Sequence, residues 1–436
     1  MAPPKSIPLN DPKTINGWAM FDWANSAFAL VITAAIFPGY FSEVTQGDTS
    51  NVLDFGWIKL ENTAVFAYAT SAAYLIITLL SPLLSGIADY GGKRKFFLRF
   101  FTTLGSLACF SLFFFNSIDS LTIGLIGYVL SMIGFAGGLV FYNSYLPEIV
   151  TEDRYDQVSA KGFAYGYIGS ILLLCFNLFV IMKPEVFGLS TEGYLPVRIA
   201  FVTVGLWWIG FAQVAFARLP ADSNEPAKGN IILKGFEELV KVGERVLQSS
   251  NIRTFLGAFF FISAGAQTVI FLAAIFASDE LGFETTELIT VILLLQIIGI
   301  GGAYFFAWLS KMKGNIFALI TVSLIFIGIC VAAYFVVAKP QFYIIAAFVG
   351  LVMGGVQSLS RATYSKLIPQ GTADFASFFS FYDVLEKIAI VSGTFIFGAV
   401  NQLTGGMRNS VLTLSVFFLL SILLFSRVKI TKSTAK

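Results

Sequence analysis

The chain has 436 residues, of which 56% are hydrophobic and 12% charged. A soluble domain is roughly a quarter charged, so this composition excludes a soluble protein in favour of an integral membrane protein of many spans. Its 28 basic and 26 acidic residues give a net charge of +2, too even and too scattered for a nucleic-acid partner, and histidine is absent, which leaves any proton coupling to a carboxyl group.

The opening stretch, MAPPKSIPLNDPKT, lacks the basic, apolar and small-residue pattern of a cleaved signal, and the N-terminus is expected to be mature and cytosolic. Residues 17–41 then form an apolar run longer than the roughly 20 helical residues that cross a bilayer, and it holds Asp22, Asn25 and Ser26. At helical spacing these share a face with Ala29, and in lipid that face must turn to a protein interior or a wet cavity. The alternative places Asp22 at the membrane interface as a helix N-terminal acid. Trp18, one turn earlier, is read as the interface anchor, which favours the cavity.

Twelve spans are expected, at about 17–42, 62–88, 96–116, 120–147, 161–182, 196–218, 253–278, 286–309, 315–338, 341–366, 376–400 and 409–427. With the N-terminus inside, five basic residues (Lys59, Lys183, Arg198, Lys339 and Arg408) fall outside, and Arg361 and Lys387 lie within spans. The other basic residues are cytosolic, as the positive-inside rule requires. Cys109, Cys175 and Cys330 each lie in an apolar run and read as small core residues.

After the second span comes GIADYGGKRK at 86–95. Gly86 permits close helix approach, Asp89 can meet a helix N-terminus or a basic partner, and Lys93, Arg94 and Lys95 fix orientation. A positive-inside anchor would explain the bases but not Asp89. In the fourth span Tyr142 and Asn143 are placed at the cavity. The glycines at 162, 166 and 169, and those at 299, 301 and 302, read as small-residue helix contacts; the second set lies in a span rather than after a strand, which rules out a nucleotide fingerprint.

Residues 219–252 are the longest loop. A polar linker leads into a stretch where Ile232, Phe236, Leu239, Val240, Val246 and Leu247 lie opposite Lys234, Glu237, Lys241 and Arg245. This is an amphipathic helix, lying either on the inner leaflet or tucked against the span ends. It divides an N-terminal six-helix bundle, 1–218, from a C-terminal one, 253–436, that ends in a short cytosolic tail.

Gln357, Arg361, Tyr364 and Ser365 share a face of the tenth span, with Arg361 about 10 Å from the cytosolic end. A lone charge there costs at least about 2.5 kcal/mol, so Arg361 is expected to pair with Asp22 or a neighbouring polar group when the cytosolic side closes, unless it snorkels to the headgroups. Asp383 and Lys387 in the eleventh span are spaced as a helical pair, structural or functional, and Glu386 beside them leaves one acid for reversible protonation.

The six-plus-six plan and the loop at 86–95 resemble the major facilitator superfamily. The whole chain further resembles its UMF family, whose eukaryotic members include the autophagy-related vacuolar amino-acid effluxers. The matching residues are GWAMFDWANSAF at 17–28, FYNSYLPE at 141–148, VSAKG at 158–162, GYIG at 166–169, GVQSLSR at 355–361, LIP at 367–369, Tyr382 and Lys387. The resemblance implies an all-α fold of twelve transmembrane helices in two six-helix bundles, with Gly86, Asp89 and Arg94 latching the outward-facing state. Two positions depart from the family. Ala264-Gly265, followed by Gln267, stands where an Asp-Gly pair is usual, and Glu386 replaces a small residue before Lys387.

The leading expectation is an alternating-access transporter for a small polar solute such as an amino acid, acting as a monomer without cofactor or metal, with protons or sodium as candidate coupling ions. The substrate or coupling residues would be Asp22, Asn25, Tyr142, Asn143, Gln267, Gln357, Arg361, Asp383, Glu386 and Lys387. A bilayer of a bacterial plasma membrane is the expected setting, with both termini cytosolic. Two other classes remain: a transporter-like solute sensor, and a membrane-embedded lipid enzyme. The enzyme is disfavoured because the usual triad and metal-ligand residues are missing.

Overall fold

The computed structural model describes residues 8–46, 51–56, 58–223, 229–404 and 406–430. The extreme N-terminus, part of the polar linker and the last six residues lie outside them. The first helix, α1, runs over Pro12–Val44 and starts five residues before the apolar run. Asp11 explains the early start: its carboxylate accepts from the Thr14 N–H at 2.9 Å and from the Thr14 hydroxyl at 2.8 Å, and Pro12 occupies the first turn. The Thr14 hydroxyl and N–H also hold the Asp11 carboxyl below its usual pKa. Within α1, Phe28–Ile36 is wound as π-helix.

A short antiparallel hairpin, Val52–Asp54 with Lys59–Glu61, leads into α2 (Asn62–Gly91). Next come α3 (Arg94–Ser111), α4 (Leu121–Ser144), α5 (Tyr155–Met182) and α6 (Leu195–Arg218), which complete the first bundle. After α7 (Ile231–Gln248), the second bundle consists of α8 (Ser250–Leu281), α9 (Thr285–Lys313), α10 (Asn315–Phe335), α11 (Lys339–Leu367), α12 (Phe375–Thr404) and α13 (Met407–Phe425). Among the described residues eleven of these helices are long and apolar enough to span a membrane. The twelfth, α12, has 30 residues and carries Asp383, Glu386 and Lys387.

Where helices approach most closely, glycine makes room. Gly299 and Gly302 on α9 lie against the α11 backbone around Gly350, Leu351 and Gly354, and a Cβ on Gly354 would come within 2.2 Å of the Gly299 carbonyl oxygen. Gly301, by contrast, faces open space and makes no helix contact, because it lies on the other side of α9. Cys175 is also exposed, on the outer face of α5, and is not a core residue as Cys109 and Cys330 are.

Both alternatives for the linker helix describe part of it. Gly235, Val242 and Val246 bury one side of α7, and a Cβ on Gly86 would sit 2.2 Å from the Gly235 carbonyl oxygen, so Gly86 admits α7 rather than a neighbouring span. Ile232, Phe236, Val240 and Leu247 remain exposed. We call the end of the molecule that carries α7 the linker end.

Candidate functional site

Asp22 and Arg361 meet across the two bundles. Both are about 2% exposed, with the Arg361 Nη1 3.4 Å from the Asp22 Oδ2. A buried pair is tolerated only when its remaining donors and lone pairs are bonded. Here Tyr142 on α4 donates its hydroxyl to Asp22 Oδ2 at 2.7 Å. Arg361 donates from Nε to the Ser159 hydroxyl at 2.9 Å, from Nη2 to the Ser159 carbonyl at 2.9 Å, and from Nη1 to Asn143 at 3.1 Å. Rings enclose the guanidinium: its carbon lies 4.2 Å from the Phe163 centroid, 4.7 Å from Trp18 and 5.4 Å from Tyr142.

Trp18 is therefore not an interface anchor. It is fully buried, stacks on Tyr142 with ring centroids 4.6 Å apart, and donates its indole N–H to the Tyr142 carbonyl at 3.0 Å. The pull of the buried cation and of a neighbouring ring outweighs the interfacial preference of a tryptophan. Gly162 completes the arrangement: a Cβ there would lie 2.7 Å from Asp22 Oδ2 and 2.9 Å from Arg361 Nη2. This glycine makes space for the charges as well as for helix contact.

Deeper into the molecule, Tyr167 donates its hydroxyl to Gln357 at 2.6 Å. Tyr364 and Ser365 do not join this face. The Tyr364 hydroxyl bonds the Phe378 carbonyl inside the second bundle, and the Ser365 hydroxyl bonds its own helix at Arg361. Asn25 is completely buried, and neither its amide nitrogen nor its oxygen has a partner.

A second group lies on α12. Asp383 pairs with Lys387, both buried, so the acid left over is Glu386, which accepts a hydrogen bond from Gln267 on α8. Tyr74 on α2 and Tyr382 lie within electrostatic range of both acids, and Tyr382 also within range of Arg361. The two polar groups thus face one central region.

At the linker end, Asp89 accepts from the backbone N–H groups of Ala376 at 3.3 Å and Ser377 at 2.7 Å, where the first turn of α12 presents unsatisfied donors. Arg94 lies 3.9 Å from Asp89 and pairs with Glu148 at 2.6 Å. Both alternatives for Asp89, helix terminus and basic partner, are realised together.

A further network is not expected from the sequence. Asp156 in the first turn of α5 receives Lys366 and the Ser310 hydroxyl on one oxygen, at 2.8 and 2.9 Å, and Asn315 on the other at 2.7 Å. Lys366 also donates to Asn315 at 2.8 Å. Asn315 directly succeeds the α9–α10 turn, which occupies in the second bundle the place that the α2–α3 turn occupies in the first. That correspondence, together with the i, i+4, i+8 spacing of Ser159, Phe163 and Tyr167, was the available signal.

A family model described as vacuole effluxer Atg22 like matches residues 10–436. The uncharacterized MFS-type transporter YxiO of Bacillus subtilis strain 168 is 30% identical over 422 residues, covering 97% of this chain and 96% of that protein. Autophagy-related protein 22 of Coccidioides immitis strain RS is 24% identical over 523 residues, covering 94% and 85%. Among solved structures, the major facilitator FucP in its outward conformation aligns with a TM-score of 0.73 at 15% identity, covering 97% of this chain and 99% of FucP. The human organic anion transporter MFSD10 aligns with a TM-score of 0.70 at 11% identity, covering 95% and 100%. These two likenesses concern the fold. The chain therefore belongs to the Atg22-like effluxer family and is a multi-pass membrane transporter, not an enzyme, built on the two six-helix bundles of the major facilitator fold.

Proposed function

We propose that this transporter moves a small polar solute of the amino-acid class by alternating access, that its linker end is cytosolic in a bacterial plasma membrane with both termini on that side, and that it works as a monomer in its outward-facing state here. The bundles would divide as 1–218 and 253–436. One observation carries the reading. Among the described residues, the hydrogen bonds and ion pairs that join the bundles lie at the start of α12, where Asp89 binds, and on about the last ten residues or 15 Å of α11, from Lys366–Asp156 through Arg361–Asp22 up to Gln357–Tyr167. Joined at one end, two bundles can rock about a site near the midplane.

Asp22, Asn25, Tyr142, Asn143, Gln357 and Arg361 form the floor of that site in this reading. Gln267, Asp383, Glu386 and Lys387 form its wall, and Gly86, Asp89 and Arg94 the gate beneath. A zwitterion suits both signs of charge, its carboxylate matching a guanidinium fork and its ammonium an acid. Glu386, which is hydrogen-bonded to the Gln267 amide while the nearby Lys387 is ion-paired with Asp383, is the candidate group for proton coupling, and a structural neighbour, FucP, is a fucose:proton symporter. Sodium is the other candidate.

The test is uptake of labelled amino acids and small organic acids into proteoliposomes, with and without proton and sodium gradients. Amino-acid flux that Arg361→Ala abolishes is the expected result. A solute that binds and stabilises the protein while none in the pool crosses would replace transport with sensing.

A further inference from the structure

On the outer side of the seam between α5 and α9 lies a crevice of about 270 Å³, lined by Ile15, Arg154, Gln157, Val158, Lys161 and Tyr304. It is slightly smaller than the roughly 300 Å³ at which small-molecule pockets begin, and it is of headgroup size. Its polar lining is rich in donors: a guanidinium, an ammonium, a carboxamide and a phenol. Among the described residues Arg154 has no ion-pair partner, and Lys161 has only Asn16 at 2.5 Å and the face of Tyr165. Of the neighbouring acids, Glu152 accepts from Gln370 and Asp156 turns inward to Lys366, while Asp153 is exposed and makes no ion pair with Arg154 among the described residues.

Depth and surroundings narrow the ligand. Lys161 lies about 9 Å from the start of α5 and Tyr304 about 13 Å from the linker end of α9, so the crevice spans the change from polar to apolar surroundings. Tyr304, Phe305 and Trp308 are exposed along α9 beside it, and tyrosine and tryptophan are enriched where headgroups meet acyl chains. A soluble anion would use the donors alone. A two-chain lipid uses the donors and the aromatic wall.

We propose that this crevice binds an anionic phospholipid, with its phosphodiester between Arg154 and Lys161 and its acyl chains along Tyr304 and Trp308. Basic pockets between spans suit such headgroups. Its walls come from opposite bundles, and α5 carries Asp156, paired with Lys366 of α11, on its inner side at the same level. The bound lipid thus fastens the bundles from outside where that network fastens them from within.

Native mass spectrometry of the delipidated full-length protein, titrated with phosphatidylglycerol or phosphatidylcholine, tests this. Phosphatidylglycerol should be retained and phosphatidylcholine should remain at background. Arg154→Gln with Lys161→Gln should lower phosphatidylglycerol retention at least tenfold, whereas Lys241→Gln with Lys311→Gln should leave it unchanged. Equal retention by the crevice variant overturns the site. Displacement by millimolar inorganic phosphate reassigns it to a soluble anion and overturns the lipid. For the unmodified protein, retention should fall as salt is raised, and salt-insensitive retention overturns the proposal whether or not the variant folds.

Discussion

Arg361 uses all three of its guanidinium nitrogens: Nε and Nη2 both hold Ser159, and Nη1 reaches Asp22 and Asn143. A lysine would bring one compact charge to a site built for a fork, so Arg361→Lys is not conservative here. We expect Arg361→Lys to transport at less than a tenth of the native rate and Arg361→Ala to lose flux altogether. Thermal unfolding in detergent should show a loss on the order of 3–5 kcal/mol for the alanine variant, which leaves Asp22 buried without its cation. Native flux through Arg361→Lys would refute the fork. Gly162→Ala probes the same site sterically. Its added methyl would lie under 3 Å from both charged groups, and the expected cost is about 1–3 kcal/mol, read as a lowered unfolding midpoint.

Among the elements, α12 begins on a carboxylate that the other bundle provides. Removing that charge with Asp89→Ala should weaken the joined linker end by up to about 2 kcal/mol, which is up to about a 30-fold change in population. Spin labels on the linker ends of α3 and α12 would register it as a longer-distance component. An unchanged distance distribution would mean that Asp89 serves only to cap its helix. The Asp156–Lys366 pair admits a double-mutant cycle with Asp156→Asn and Lys366→Met, with an expected coupling of about 0.5–3 kcal/mol, as for residues in one network. Helices of this kind were legible from hydrophobic run length, which found twelve spans within a few residues. Starts at Pro12 and Tyr155 were missed because capping by Asp11 and turns in loops carry helices beyond their apolar stretch. The charges inside spans were legible for a similar reason: an apolar helix rarely carries Asp22, Arg361 or Lys387 without a partner. Asp156, Lys366 and Asn315 were not, since at helix ends such residues look like ordinary loop polarity, and only the packing of α5 against α9 and α11 brings them together.

For the whole molecule, on the alternating-access reading proposed above, the polar joints gathered at one end set which face solvent can enter. In a Cys175→Ala background, Gln267→Cys should react with a membrane-impermeant thiol reagent applied to the face opposite the linker at least tenfold faster than from the linker face. Equal rates from both faces would remove the outward-facing assignment. Pairing between residues more than 300 positions apart, such as Asp22 with Arg361, shows why the site was only partly readable. Sequence spacing places residues on a face, but which faces meet depends on the mutual rotation of two bundles.

The π-wound stretch Phe28–Ile36 lies directly beyond Asp22 and Asn25 in α1. Wider turns hold a surplus residue, and a helix with a surplus residue can lose it without changing the register of the turns on either side. Deleting Ala34 should therefore rewind the stretch as ordinary α-helix and leave a folded protein, whereas deleting Ala19, in the regular part, should swing Asp22 away from Arg361 and unfold it. If both deletions are equally damaging, the surplus is not absorbed locally. If Ala34 is dispensable for folding but flux stops, the upper part of α1 works as a swivel, and the transporter turns this half of the helix while the buried charges below stay in place.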